Sequence, residues 1–392
     1  MLEPAHRAAE IEPFRVMSLL AEARQMETEG RDIVHMEVGE PDFITPSPII
    51  QAGIEALQAG HTHYTAATGL PQLRQAIADW YQHYYQLDIA ASRIIVTPGA
   101  SGALLLAFGA LLERDRQVML ADPGYPCNRH FARFIEGRVN AVNVDAASNF
   151  QLDAALVAKH WNQETDLLLL ASPSNPTGTV LEQAQLAQIA EQVRLQGGQL
   201  IVDEIYHGLT YDGFVAPTAL SVDDDAIVIN SFSKFFGMTG WRLGWLVVPE
   251  RLVAVMDKLA QNLFLAAPTV AQYAALAAFQ PETQQVLEQR RQAFEQRRDR
   301  LMPGLKKLGF KIDSTPRGAF YIYADCRALL DKETPDSMRL CQRLLHEAGV
   351  AITPGLDFGQ HHAAHHCRFA YTNELNRLDE AVKRIADWLQ RR

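Results

Sequence analysis

Apolar residues in this chain gather into short, uninterrupted runs, and each run stops at a cluster rich in Gly, Pro, Ser, Asn or Asp. Residues 93–96 (RIIV) lead into TPGASG, 118–121 (VMLA) into DPGYP, and 166–171 (DLLLLA) into SPSNPTG. Residues 200–202 (LIV) lead into DEIY, and 226–230 (AIVIN) into SFSK. Runs of this length bounded by turn formers predict strands buried on both faces. Between them, residues 181–195 repeat their apolar positions at helical spacing, and 70–81 and 103–112 are also helix-like. The alternation predicts an α/β fold with a mostly parallel central sheet flanked by helices. Ligands in such sheets sit outside the carboxyl ends of the strands, and all five clusters fall at that end.

The last cluster holds the sharpest chemistry. In SFSKFFGMTGWRLGW, Lys234 follows Ser231 and Ser233, and Arg242 stands eight positions further on. A lysine amine can form a Schiff base with an aldehyde, while hydroxyls and a guanidinium hold a phosphate. Pyridoxal 5'-phosphate carries both groups, so this segment is its candidate anchor. Taken alone, the segment also reads as a surface Lys and Arg beside a Ser-rich turn.

The other clusters supply candidate partners. Asp203 closes an apolar run, where an ionised carboxylate needs a cation. A protonated pyridine nitrogen is such a cation, and the pair makes the ring an electron sink; a helix N-cap is the plainer role. Asn175 and Tyr206 can both hydrogen-bond the cofactor's phenolic oxygen and lower the proton affinity of the Schiff base. SPSNPTG alone is only a turn and helix-start signal. Tyr125 can stack on the pyridine ring or pack as an ordinary aromatic. Gly99, Ala100, Ser101 and Gly102 precede the 103–112 run, and small residues at a helix start leave N–H groups free for an anion. That makes a second phosphate contact. Neither the Walker pattern nor the dinucleotide fingerprint occurs there.

The ordered blocks VGEPDF (38–43), YTAATG (64–69), PGYP, SPSNPTG, DEIY, SFSK and RFA (368–370) span nearly the whole chain. In order and spacing the sequence resembles the class I/II aminotransferases, pyridoxal-phosphate enzymes of fold type I, in the bacterial branch with aspartate-, alanine- and aromatic-type members. The resemblance implies that Lys234 is the Schiff-base lysine, Asp203 the pyridine partner, and Asn175 and Tyr206 the phenolate partners. It makes Tyr125 the stacking ring and gives the phosphate to Ala100, Ser101, Ser231, Ser233 and Arg242. It also implies a homodimer in which Tyr64 reaches the neighbouring subunit's phosphate. Arg368, helped by the Gly39 backbone, would grip the substrate's α-carboxylate. The implied reaction moves an α-amino group from an amino acid to a 2-oxo acid by a ping-pong route. A carbon–sulfur β-lyase on the same scaffold is the alternative. Regulators that fuse such a domain to a DNA-binding module carry an added N-terminal domain, and the residues before the first block are too few for one.

Composition narrows the partners. With 36 basic and 46 acidic residues the net charge is −10, which argues against nucleic acid or an anionic membrane. No stretch is apolar enough to span a bilayer, and MLEPAHRAAEIEPF has no signal-peptide core. The four cysteines, Cys127, Cys326, Cys341 and Cys367, show no C-x-x-C spacing, so a reducing cytoplasm is expected. The blocks suggest a large cofactor domain over 45–280 and a small α+β domain from 1–44 plus 281–392. Residues 282–299 are charged and helix-like, 307–325 read as strand-rich, and 378–390 as a closing amphipathic helix.

Two features depart from the pattern. His361, His362, His365 and His366 carry i,i+4 pairs that could bind a metal if they lay on a helix; a polar turn before a strand is the plainer reading, and no metal is expected. Some aspartate-using relatives have a basic residue where this chain has Ser101. With Phe14 and Met17 as candidate pocket walls, an alanine-like or larger neutral amino acid is the expected donor.

Overall fold

The computed structural model describes residues 3–392. A short strand, β1 (Val34–His35), precedes seven that make the central sheet. These are β2 (Ile94–Thr97), β3 (Gln117–Asp122), β4 (Arg138–Asn143), β5 (Thr165–Ala171), β6 (Gln199–Asp203), β7 (Ile227–Ser231) and β8 (Gly244–Val247). Their order is β2-β8-β7-β6-β5-β3-β4. Only β8 is antiparallel to its neighbours, so the sheet is mostly parallel and the carboxyl ends of the other six face one way.

The uninterrupted apolar runs follow from burial on both faces. Ile94, Val96, Leu168, Leu170, Leu200, Val202, Val228 and Trp245 join one hydrophobic cluster. The residues alternating with them, Ile95, Leu167, Leu169, Ile201, Ile227, Ile229 and Leu246, join a second. The two-residue period of a strand thus sorts one continuous run into two packed layers. A small three-stranded antiparallel sheet stands apart, made of β9 (Tyr321–Asp325), β11 (Thr353–Pro354) and β12 (His366–Ala370). Strand β10 (Val350–Ala351) pairs in parallel with β1, tying the N-terminal segment to the C-terminal part.

Several expectations shift in detail. The helix expected over 103–112 runs Gly99–Leu111, so the GASG residues form its first turn rather than preceding it. The charged helix extends over Pro281–Lys307, through Pro303. The closing helix is Leu375–Gln390. The supposedly strand-rich 307–325 stretch holds one named strand, β9, and an isolated bridge between Lys311 and Asp325. Strands β4 and β8 are additional: β4 is a partly exposed edge strand, and β8 is the one strand set antiparallel to its neighbours.

Candidate active site

The carboxyl ends of the parallel strands deliver the side chains. Asp203 is the last residue of β6 and Ser231 the last of β7, with Lys234 three residues beyond. Asn175 follows β5, Tyr125 follows β3, and Ala100 and Ser101 sit in the first turn of the Gly99–Leu111 helix. From the other side, Arg368 on β12 and the Gly39 backbone complete one cavity of about 220 Å³. Twelve of the thirteen residues singled out from the sequence line it: Gly39, Ala100, Ser101, Tyr125, Asn175, Asp203, Tyr206, Ser231, Ser233, Lys234, Arg242 and Arg368. Tyr64 does not; it is 81% exposed on the surface. Phe14 and Met17 also line the cavity, beside Val16, Leu104 and Phe131.

One end is built for an anion. Ser231 Oγ lies 2.9 Å from Ser233 Oγ and accepts a hydrogen bond from the Ser233 N–H at 3.0 Å. No side chain caps the Gly99–Leu111 helix, so its first N–H groups remain available. Arg242 adopts a left-handed backbone (φ 55) and spends one nitrogen on the Thr239 carbonyl at 2.9 Å. Gly99 has φ +72, and a Cβ there would stand 2.5 Å from Arg242 Nη2. Only glycine lets the helix start and the guanidinium share that corner.

The other end pairs acid, amine and arginine. Lys234 is partly buried and donates from Nζ to the Gly39 carbonyl at 2.6 Å. Burial pulls its pKa down to about 8, partly opposed by the negative charge of Glu40. Asp203 is pushed up to about 6 by burial, against the Ile205 N–H and the Lys234 charge. Its Oδ1 accepts from Ile205 at 3.1 Å; this aspartate caps no helix, so its carboxylate is left to face the cavity. A buried carboxylate of that kind fits a cationic ring nitrogen. The donor set, the anion corner and the partly buried amine together suit pyridoxal 5'-phosphate.

Arg368 is held from three directions. It donates from Nη1 to Asn175 Oδ1 at 3.0 Å, and from Nη2 to the Glu37 carbonyl at 2.5 Å and to Thr353 Oγ1 at 3.3 Å. The rings of Tyr321 and Phe358 flank its guanidinium at 4.4 and 4.8 Å. Its Nε is buried without a partner. An orphaned donor on a fixed guanidinium is a site waiting for an anion. Glu37, Thr353, Phe358 and Tyr321 escaped sequence reasoning. Phe358 and Tyr321 look like core aromatics in sequence, and Glu37 and Thr353 contribute through contacts that no local motif records.

The four histidines sit on a turn, a short 3₁₀ segment (Ala363–His365) and the start of β12, not on one helix. His366 stacks on Tyr323 with ring centres 4.7 Å apart. Among the described residues no group of three or more His, Cys, Asp or Glu is placed to hold a metal ion. All four cysteines are free, and the Cys341 and Cys367 sulfurs lie 4.0 Å apart in the hydrophobic core. Among the described residues no helix is long and apolar enough to cross a membrane.

The mostly parallel sheet carries a lysine and a buried aspartate at its strand ends, and its structural neighbours are aminotransferases of fold type I. A crystal structure of an aminotransferase from Mycobacterium tuberculosis superposes over 100% of both chains, with a TM-score of 0.95 and 36% identity. The family described as aminotransferase class I and II matches residues 31–385, and the chain belongs to that family. Among similar curated proteins, a valine–pyruvate aminotransferase of M. tuberculosis is 36% identical over 383 residues, 97% of each chain. A (5-formylfuran-3-yl)methyl phosphate transaminase of Methanocaldococcus jannaschii is 35% identical over 388 residues, 98% of this chain and 99% of its own. The protein is an aminotransferase, and nothing among its relatives favours the carbon–sulfur lyase alternative.

Proposed function

We propose that this aminotransferase holds pyridoxal 5'-phosphate at its strand ends and takes the amino group of a neutral, apolar amino acid, passing it to a 2-oxo acid. The observation that carries the reading is the single cavity in which a partly buried lysine, a buried aspartate, an anion corner and an orphaned arginine donor meet. Ala100, Ser101, Ser231, Ser233 and Arg242 would hold the phosphate, and Tyr125 would cover the ring. Bound there, the cofactor supplies an aldehyde carbon and an electron-withdrawing ring. Asp203 keeps a negative charge at the ring nitrogen. Asn175 and Tyr206 direct hydrogen bonds toward the phenolic oxygen. Arg368 fixes the substrate's α-carboxylate, so that its Cα faces Lys234. The Lys234 amine, once free, takes the Cα proton. Phe14, Tyr125 and the apolar wall close the cavity against water.

The donor class rests on that wall. Phe14, Val16, Met17, Leu104 and Phe131 line the cavity, and its only cationic side chains are Lys234, Arg242 and Arg368, each already given a role. An adjoining cavity, which shares Tyr125 and Asn175, is lined by Arg15, Arg129 and Arg133 with Glu12 and Asp122. Acidic donors therefore make the instructive comparison. With pyruvate or 2-oxoglutarate as acceptor, alanine, valine and larger aliphatic donors are expected to exceed aspartate and glutamate in kcat/KM. A preference for the acidic donors would overturn the assignment. Ammonia and pyruvate released without an acceptor would instead indicate lyase chemistry.

The active unit is proposed to be a homodimer. Tyr64 is exposed at 81% in the single chain, outside its own cavity, which suits a residue that completes a partner's site. If sites are shared, mixing inactive Lys234→Ala with inactive Tyr64→Phe chains should restore activity, because one site of each heterodimer then carries neither defect. No recovery after confirmed subunit exchange would mean that each chain builds its own site. The proposed division assigns 45–280 to the cofactor domain and 1–44 plus 281–392 to the small domain; the pairing of β1 with β10 supports it. Four free cysteines are consistent with a cytoplasmic setting.

A further inference from the structure

We infer that Tyr321 is a positioning residue that couples the cofactor's phenolic-oxygen partner to the substrate's carboxylate clamp. The inference rests on the functional reading above. Tyr321 opens β9, is almost fully buried and lines the cavity. Its hydroxyl lies 2.8 Å from the Tyr206 hydroxyl, while its ring packs against the Arg368 guanidinium at 4.4 Å. Gly39 makes the arrangement possible. A Cβ at that position would fall 2.0 Å from the Tyr321 hydroxyl, so any other residue would displace it.

The direction of the Tyr206–Tyr321 bond follows from proton counting. Each hydroxyl has one proton. An anionic phenolic oxygen is a stronger acceptor than a neutral hydroxyl, so Tyr206 turns its proton toward the cofactor when the site is loaded. Tyr321 then donates to the Tyr206 oxygen. That second bond polarises the first and strengthens it. A stronger bond into the phenolic oxygen withdraws electron density and lowers the proton affinity of the Lys234 linkage. The ring does separate work: it holds the guanidinium flat against β9, with Phe358 on another side at 4.8 Å. One side chain therefore serves both ends of the site through different atoms.

Two substitutions separate the two roles. Tyr321→Phe removes only the hydroxyl. A spectrophotometric pH titration of the cofactor-loaded protein should show the visible band's pKa rise by roughly half a unit, with KM for the amino donor nearly unchanged. Tyr321→Leu removes the ring as well and should add a severalfold rise in KM. In a Tyr206→Phe background, Tyr321→Phe should move the band's pKa no further, because its effect passes through the Tyr206 oxygen. An unshifted titration in Tyr321→Phe, or an equal shift with and without Tyr206, would overturn the inference while leaving the proposed function intact. A wild-type protein that forms no visible band on reconstitution would instead overturn the functional reading itself. Thermal unfolding of the cofactor-free variants checks the fold; if Tyr321→Leu does not fold, Tyr321→Phe with its double mutant decides alone.

Discussion

Replacing Lys234 by Ala should lower transamination by at least about a thousandfold and abolish the yellow visible band. Lys234 is the only lysine lining the cavity, so no other amine can take over its role. Borohydride reduction of the wild type, followed by peptide mapping, should fix the label on Lys234; label on a different lysine would refute the assignment. The pH dependence of cofactor capture follows from burial. The free amine is the nucleophile, and Lys234 has its pKa lowered from 10.5 to about 8. Capture by cofactor-free protein should therefore rise as pH increases and level off above about 8. Below that it should fall about tenfold per pH unit, as the free-amine fraction does. A midpoint near the ordinary lysine value would mean that the amine is more hydrated in solution than its place in the cavity implies.

Arg368→Lys carries the second large effect. The guanidinium holds Asn175, Glu37 and Thr353 with its terminal nitrogens and keeps Nε unpaired. A lysine can place a charge there but cannot present the flat fork that meets a carboxylate with two parallel bonds. Loss of about 2–3 kcal/mol of charge-assisted hydrogen bonding corresponds to roughly a 30- to 150-fold rise in KM, for donor and acceptor alike. Cofactor affinity should hardly change, because Arg368 bonds Asn175, Glu37 and Thr353 and none of Ser231, Ser233 and Arg242. A variant that mainly loses cofactor would move Arg368 to the phosphate and undo the proposed roles.

Much of the sheet and most of the candidate site were legible in the sequence. Apolar runs ending in Asp203, Ser231 and Ala171 announced parallel strands, because burial on both faces leaves no polar alternation to confuse the signal. Residues at or just past the ends of those runs converge because parallel strands share one carboxyl edge. Position along the chain therefore became position in the cavity. The resemblance of ordered blocks then brought in Arg368 and Gly39, which lie far from the sheet in sequence. What stayed illegible has a common cause. Strand β8 is four residues long and owes its place to pairing with β2 and β7, not to its own pattern. The GASG turn belongs to its helix because Gly99 accepts a positive φ against Arg242, a contact made across more than a hundred residues.

The sequence by itself determined the fold class and the place of Lys234, Asp203 and the serines at strand ends, because each depends on local pattern or on residues next to a strand end. Tertiary structure alone decided what surrounds the arginine and the phenolic hydroxyls. Tyr321 in AFYIYAD is indistinguishable from a core aromatic until β9 folds across to Tyr206 and Arg368. Tyr64 is likewise just a surface tyrosine within one chain; a residue that served a second subunit would leave no mark on its own. Hydrogen bonds and ring contacts act over a few ångströms, and only packing brings residues so distant in sequence within that range.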